Sequence, residues 1–225
     1  QDGGALTLGS TTIVGNYGNG TLIISGSGSS AIVESPLYFG YYASGTGTLS
    51  VQDGAALSVA RAMTIGSSGT GIVSLSGGTS VFENTVDVRN GTLAVSNKTD
   101  GVSVGRTLTV SADSTLRFDI DLSAPLSETD AVLDAQSVAL DTSGTYIINI
   151  ADIFGELNAR IFLLDVTNSV DAAMKSIAWT ILGADDPRVL SASTQWDGNK
   201  FFLNISTIPA PAACPVSMHG AIRRV

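Results

Sequence analysis

Val14-Gly15-Asn16-Tyr17-Gly18-Asn19-Gly20-Thr21-Leu22-Ile23-Ile24-Ser25-Gly26 is followed by Phe39-Gly40-Tyr41-Tyr42-Ala43-Ser44-Gly45-Thr46-Gly47-Thr48-Leu49-Ser50-Val51-Gln52-Asp53-Gly54, and then by Ile65-Gly66-Ser67-Ser68-Gly69-Thr70-Gly71-Ile72-Val73-Ser74-Leu75-Ser76-Gly77-Gly78. These are three copies of one pattern: apolar-Gly, a small polar loop, Gly-Thr-Leu or its equivalent, an alternating strand and a glycine-rich corner. The leading glycines fall at Gly15, Gly40 and Gly66, a period of about 25 residues, which is the range of stacked-repeat architectures.

A repeat of that length holds two or three short strands, too few to enclose a core, so each copy must lay its apolar face on the next. The expected fold is therefore all-β: a right-handed parallel β-solenoid (β-helix) with a C-terminal β-rich cap. Coils stack about 4.8 Å apart, and roughly five fit before Leu122, giving a rod on the order of 24 Å. Glycine recurs because corners need a positive φ or no side chain.

The pattern extends both ways from these copies. Gly3-Gly4-Ala5-Leu6-Thr7-Leu8 repeats the corner and strand of Gly54-Ala55-Ala56-Leu57-Ser58-Val59, which predicts an array that begins before residue 1. Linking strands are expected at Ala31–Val33, Leu57–Met63 and Ser80–Val88, each with period-two alternation. Asn90-Gly91-Thr92-Leu93-Ala94-Val95 reads as a tight turn and strand, and Val104–Val110 and Ser114–Asp121 as longer strands where the coils lose their short loops.

Composition changes near Leu122, and three regions result: residues 1–121 as the solenoid, 122–207 as the cap and 208–225 as a disordered tail. Ser123–Asp130, with Pro125, reads as a loop leading out of the repeats. Strands are expected at Ala131–Leu140, Thr145–Ile150, Ala159–Val166, Ala178–Leu182 and Phe201–Ile205, with a short helix over Val170–Ser176 capped by Asp171. Trp196-Asp197-Gly198-Asn199-Lys200-Phe201-Phe202-Leu203 reads as a hairpin. Such a region would cover the edge groups that a solenoid leaves at its last coil.

Only 14% of residues are charged, glycine numbers 25 and the net charge is −9. That is the profile of a β-rich extracellular chain, and with one adjacent basic pair, Arg223-Arg224, nothing tracks a phosphate backbone; nucleic acid is excluded as a partner. The single cysteine, Cys214, has no partner for an internal disulfide. The sequence opens without Met or a signal peptide, so an export signal is expected to lie upstream. No run of about 18 apolar residues is present, so no transmembrane helix is expected.

The Gly-Thr-Leu copies resemble the passenger-associated β-strand repeats of bacterial autotransporters and related exported proteins, over about Gln1–Asp121. The later run, strand Leu116–Asp121, then Asp130, Val138–Leu140 and Tyr146–Ile150, is similar to the way such arrays close. The tail Ile208-Pro209-Ala210-Pro211-Ala212-Ala213-Cys214, with Arg223-Arg224, resembles a degenerate PEP-CTERM sorting signal in which Ala210 stands where that family has Glu. The resemblance implies a secreted or cell-surface bacterial protein in which the repeat serves as a stalk, scaffold or adhesin-like segment, with extracellular polysaccharide or cell-surface components as partners.

Catalysis is not expected. A polysaccharide lyase or hydrolase on this fold needs carboxylates on neighbouring coils facing one groove; Asp119 and Asp121 alternate on one strand face, with Asp130 and Asp134 as possible additions, and an outward structural role is the expected one. The lone histidine, His219, is too remote for a Ser-His-Asp triad. No Cys/His cluster and no calcium-binding nonapeptide repeat appear, so no metal or cofactor is expected. Gly15–Gly20 lacks the Lys-Ser/Thr of a phosphate loop. The binding candidates are Tyr17, Tyr41 and Tyr42, which stacking would bring together with Tyr38 on one side of the rod. Such a ladder would either stack sugar rings, the alternative being a carbohydrate-binding or polysaccharide-degrading β-helix module, or pack between loops.

Overall fold

The structure is a computed structural model that describes residues 3–123, 127–151 and 157–208. The tail from residue 209, with Cys214, His219 and the sorting-signal resemblance, lies outside the described residues, as does Pro125 of the expected loop.

The first coil is β1 (Ala5–Leu8), β2 (Thr12–Val14) and β3 (Asn19–Ser25). The second is β4 (Ser30–Val33), β5 (Leu37–Phe39) and β6 (Thr46–Gln52), and the third β7 (Ala56–Val59), β8 (Met63–Ile65) and β9 (Thr70–Leu75). The fourth is β10 (Gly78–Phe82), β11 (Val86–Val88) and β12 (Gly91–Ser96). Each strand pairs in parallel with its counterpart one coil on, which is the arrangement of a parallel β-solenoid. The three Gly-Thr-Leu segments lie side by side in register, Thr21 on Thr48 on Ile72 and Leu22 on Leu49 on Val73.

Period-two alternation turns this register into columns. On one sheet Leu22, Leu49, Val73, Leu93, Leu116 and Tyr146 form an inward row. Beside it on another face run Val14, Phe39, Ile65, Val88, Val110 and Leu140. From the second coil on, these inward residues are buried, Leu49, Phe39, Ile65, Val73 and Leu116 completely. Each fully buried side chain of this size contributes about 1.5–3 kcal/mol of transfer free energy. Tyr146 keeps its place in the row because its hydroxyl donates to the Asp141 carbonyl at 2.7 Å; burial first, and then nearby Asp141, pushes it up to about 12.

Corners are set by backbone geometry. Gly15, Gly40 and Gly66 have φ of 74°, 66° and 72°, and a Cβ at each would overlap the backbone of the following coil at Thr46, Thr70 and Asn90. Glycine is required there twice over, by φ and by close approach.

Of the expected linking strands, Ala31–Val33 is the single strand β4, whereas Leu57–Met63 and Ser80–Val88 are each two, because a three-residue corner divides β7 from β8 and β10 from β11. That corner then vanishes. β13 (Thr99–Val110) runs across two faces as one strand, and β15 (Leu133–Leu140) follows it with a register shift between Val104 and Thr107. The fifth coil is completed by β14 (Thr115–Asp121) and the sixth by β16 (Thr145–Ala151).

Parallel stacking does not stop at Asp121. Parallel pairing continues past it, β15 on β13 and β16 on β14, and into a seventh layer where β18 (Thr180–Leu182) pairs β16 and β17 (Leu157–Val166) pairs β15 through Leu164–Val166. Loss of the glycine corners ended the readable repeat, but the apolar alternation that drives stacking persisted. The antiparallel element comprises β17, β19 (Val189–Asp197) and β20 (Lys200–Thr207), in the order β17-β20-β19. A short helix, α1 (Ala172–Lys175), is N-capped by Asp171, whose carboxylate accepts the Met174 N–H. Trp179 closes the core, its ring 4.6 Å from Phe201 and 5.7 Å from Phe118. No helix of the described residues is long and apolar enough to cross a membrane.

Candidate functional site

The loops after β2 and β5 carry the tyrosines, and the backbone fixes them. Tyr41 N–H donates to the Gly15 carbonyl and Tyr42 N–H to the Asn16 carbonyl, both at 3.2 Å, while the Ser44 hydroxyl donates to the Tyr17 carbonyl at 2.9 Å. These bonds lay one loop on the other, and the Tyr17 and Tyr42 rings stack with centroids 4.3 Å apart and planes 9° from parallel. Tyr41 meets Tyr42 edge-on at 4.9 Å and Tyr38 meets Tyr41 edge-on at 5.3 Å.

Sequence reasoning expected Tyr17 beside Tyr41 or Tyr42, and the structure brings all four tyrosines into one chain of ring contacts. The chain stops at the third coil, where Ser67 and Ser68 occupy the positions of Tyr41 and Tyr42, bonding to the Gly40 and Tyr41 carbonyls. Tyr17, 65% exposed, presents the most open ring. The Tyr42 hydroxyl is raised above its ordinary value, first by hydrogen bonding with the Tyr17 hydroxyl and then by the charge that Tyr17 would carry. The stacked pair offers ring faces and hydroxyls.

The carboxylates expected on β14 are already engaged. Asp119 accepts from Arg117 Nε at 3.0 Å, from Arg117 Nη2 at 2.9 Å and from Asn149 Nδ2 at 2.9 Å. Asp121, buried, pairs with Lys98 and accepts from the Ser123 N–H at 2.8 Å and hydroxyl at 2.6 Å. Burial acts to raise Asp121, but the hydrogen bonds from Lys98 and Ser123 outweigh it and the carboxyl lies below the ordinary 3.8. Beside it Asn97 continues the ladder with its side chain, donating to the Asp121 carbonyl and accepting the Asp121 N–H at 2.9 and 2.8 Å. Asp130 accepts from the Ser127 and Thr129 hydroxyls at 3.0 and 3.2 Å.

Asp134 does not join Asp119 and Asp121, because it lies on the other sheet. Its register partner is Asp165, on the next coil, and Asp165 sits 4.0 Å from Lys200 Nζ. Partial burial first, then the charges of Asp165 and Asp130, hold the Asp134 carboxyl above 3.8, while Lys200 pulls the other way. This pairing escaped sequence reasoning because the two residues are one coil apart in a region where the repeat had lost its glycine markers. Among the described residues no group of three or more His, Cys, Asp or Glu is placed to hold a metal ion.

Comparison with protein-family models, with curated proteins and with solved structures returned no match.

Proposed function

We propose that this chain is a non-catalytic β-solenoid segment, a stiff scaffold or adhesin-like spacer, of a bacterial protein exported to the medium or the cell surface. The observation that carries the reading is the outward face of the long sheet. In register with the buried column Leu22–Leu49–Val73 runs an outward column of Thr21, Thr48, Ile72, Thr92, Thr115 and Thr145. A lengthwise face of small hydroxyl and methyl groups suits a spacer, whereas catalysis needs unlike, perturbed groups converging on one reacting atom. The repeat grammar that resembles autotransporter passenger-associated repeats, and the tail that resembles a degenerate PEP-CTERM signal, support export and a surface location.

The test is incubation of the chain with a panel of extracellular polysaccharides, following new reducing ends and unsaturated products. No turnover is expected. Turnover that disappears in Asp134→Asn would overturn the reading in favour of a polysaccharide-degrading module, for which Asp134 and Asp165 on adjacent coils are the supporting observation.

A sugar-binding role for the same scaffold rests on the exposed Tyr17 ring at the end of the tyrosine stack, since a flat aromatic face suits the apolar face of a pyranose. Calorimetric titration with oligosaccharides should then give a weak signal that Tyr17→Ala removes. Titration without heat, or heat unchanged in the variant, excludes that role for these rings.

A further inference from the structure

The four clustered tyrosines touch through three ring contacts, and the contacts differ in kind. Tyr38 meets Tyr41 with planes 84° apart and Tyr41 meets Tyr42 at 87°, so in both the edge of one ring points at the face of the other. Of the three, only Tyr17 and Tyr42 lie face to face, 4.3 Å between centroids and 9° from parallel. Their hydroxyls are hydrogen-bonded, which turns both phenol ends the same way and sets the ring carbons beside each hydroxyl opposite those of the partner.

The backbone holds this pair from two directions. The Tyr42 N–H and the Ser44 hydroxyl tie the second loop to the Asn16 and Tyr17 carbonyls, and the Ser68 N–H ties the third loop to the Tyr41 carbonyl. Tyr42 nonetheless stays 43% exposed between its neighbours, open to a small oxidant.

A phenol that loses one electron and one proton becomes a phenoxyl radical, whose unpaired electron is shared between the oxygen and the ortho and para carbons. The orbitals that carry it stand perpendicular to the ring plane. Two such rings bond where those orbitals point at each other, which takes faces and not edges. The Tyr17–Tyr42 contact meets that condition, and the two edge-on contacts do not. A radical formed first on Tyr38 or Tyr41 has a continuous path of touching rings to the pair.

We propose that Tyr17 and Tyr42 are a site of oxidative cross-linking, at which hydrogen peroxide, acting through a haem peroxidase, joins one ortho carbon of each ring as dityrosine. Each phenol gives up one electron and one proton, and the new C–C bond forms between the two ortho carbons. The hydrogen on each of those carbons then moves to the oxygen of its own ring, which restores both aromatic systems and both hydroxyls. One peroxide accepts the two electrons and two protons and leaves as two waters. The described residues contain no cysteine, so no disulfide joins these coils; the dityrosine fastens the loop of the first coil to that of the second and restricts the unfolded chain as a disulfide would. The proposal rests on ring geometry alone and goes beyond the scaffold reading, since a sugar-degrading solenoid with the same loops would couple in the same way.

The experiment treats the intact chain, at low concentration, with a haem peroxidase and hydrogen peroxide under conditions that couple free tyrosine in a parallel tube. The expected product is a monomer lighter by two hydrogens, with dityrosine fluorescence and, after proteolysis, a linked peptide pair that contains Tyr17 and Tyr42. Its melting temperature should exceed that of the untreated chain. Tyr17→Phe and Tyr42→Phe keep a ring in the stack but form no phenoxyl radical, so each should remove the linked pair while the untreated variant unfolds close to the parent. Tyr38→Phe and Tyr41→Phe should leave the link in place. No linked product, a link at Tyr38–Tyr41 or Tyr41–Tyr42 in its stead, links between chains only, or a Tyr17→Phe chain that gives the same product would each overturn the proposal.

Discussion

From Gly3 to Val33 the chain carries no charge and turns on glycine; from Arg160 to Lys200 it is laced with ions and aromatic rings. In the cap Phe162 and Phe202 stack at 4.8 Å, Arg160 lies 3.6 Å over the Phe202 ring and Lys200 4.9 Å from that of Phe162, and Arg160 pairs with Asp197 at 3.2 Å. The coils achieve close packing through repetition: every layer finds an identical shape beneath it, so small residues and bare backbone suffice. The antiparallel layer of the cap repeats no coil beneath it, and it is held by large side chains and specific pairings. The same apolar alternation is thus supported by translational register in one region and by side-chain chemistry in the other.

The sharpest way to break that contrast is at a close-approach glycine. Gly45→Val drives a side chain into the Gly15 backbone, and a loss on the order of 4 kcal/mol or more is expected, read as a collapse of the melting temperature. Gly198→Val, at a hairpin position with φ of 60° but with nothing within 4 Å of an added Cβ, should cost only its backbone strain, about 1–3 kcal/mol. Next comes the cap core. Phe201 is 1% exposed and held between Trp179 and Trp196 at 4.6 and 4.9 Å, so Phe201→Ala should cost about 3–5 kcal/mol. Leu49→Ala, in a fully buried column of the coils, should cost about 2–5 kcal/mol. In denaturant titrations the cap variant is expected to show a separate early transition, because nearest-neighbour stacking lets one end melt first; coincident transitions would merge the two regions into one cooperative unit.

Electrostatic differences are smaller and depend on pH. Asp121 titrates below its ordinary value in the folded chain, so its contribution is fully present above pH 3.8 and is lost as the pH falls through the lower folded value. Asp121→Asn should therefore flatten the acid limb of the stability profile, and an unchanged limb would remove this pair from the account. Asp134 runs the other way. Its folded value is raised, so stability is fully present below pH 3.8 and declines as the pH rises through the raised value. The residue is exposed by area, and solvent screening keeps the effect small: Asp134→Asn should stabilise at neutral pH by less than about 0.5 kcal/mol and leave stability near pH 3 unchanged.

Much of this contrast was legible in the sequence, for physical reasons that differ along the chain. The glycines at 15, 40 and 66 marked the period because close backbone approach tolerates nothing else there. Asp171 and the Asp197-Gly198-Asn199 turn announced α1 and the hairpin because caps and tight turns demand particular residues. β19 was missed: its Leu190-Ser191-Ala192-Ser193-Thr194 has no buried apolar row, since that strand packs at the edge of the cap. The continuation of parallel stacking past Asp121 was missed because Gln136 and Ser137 replace a corner that earlier coils mark with three residues. Of the candidate site, the tyrosine contacts followed from coil arithmetic, whereas Asp134 beside Asp165 required the parallel pairing of β17 on β15, which no local pattern encodes.

The ladders between coils also make the covalent chain partly redundant. Consider a cut between Ala43 and Ser44. On one side of it Tyr42 N–H is still held by the Asn16 carbonyl and Ser68 N–H by the Tyr41 carbonyl; on the other, Thr46 N–H is still held by the Gly18 carbonyl and Thr70 N–H by the Gly45 carbonyl. The severed halves remain woven into the same neighbours, as strands in a rope outlast a broken fibre, so a protease that nicks such a loop scars the shaft without parting it.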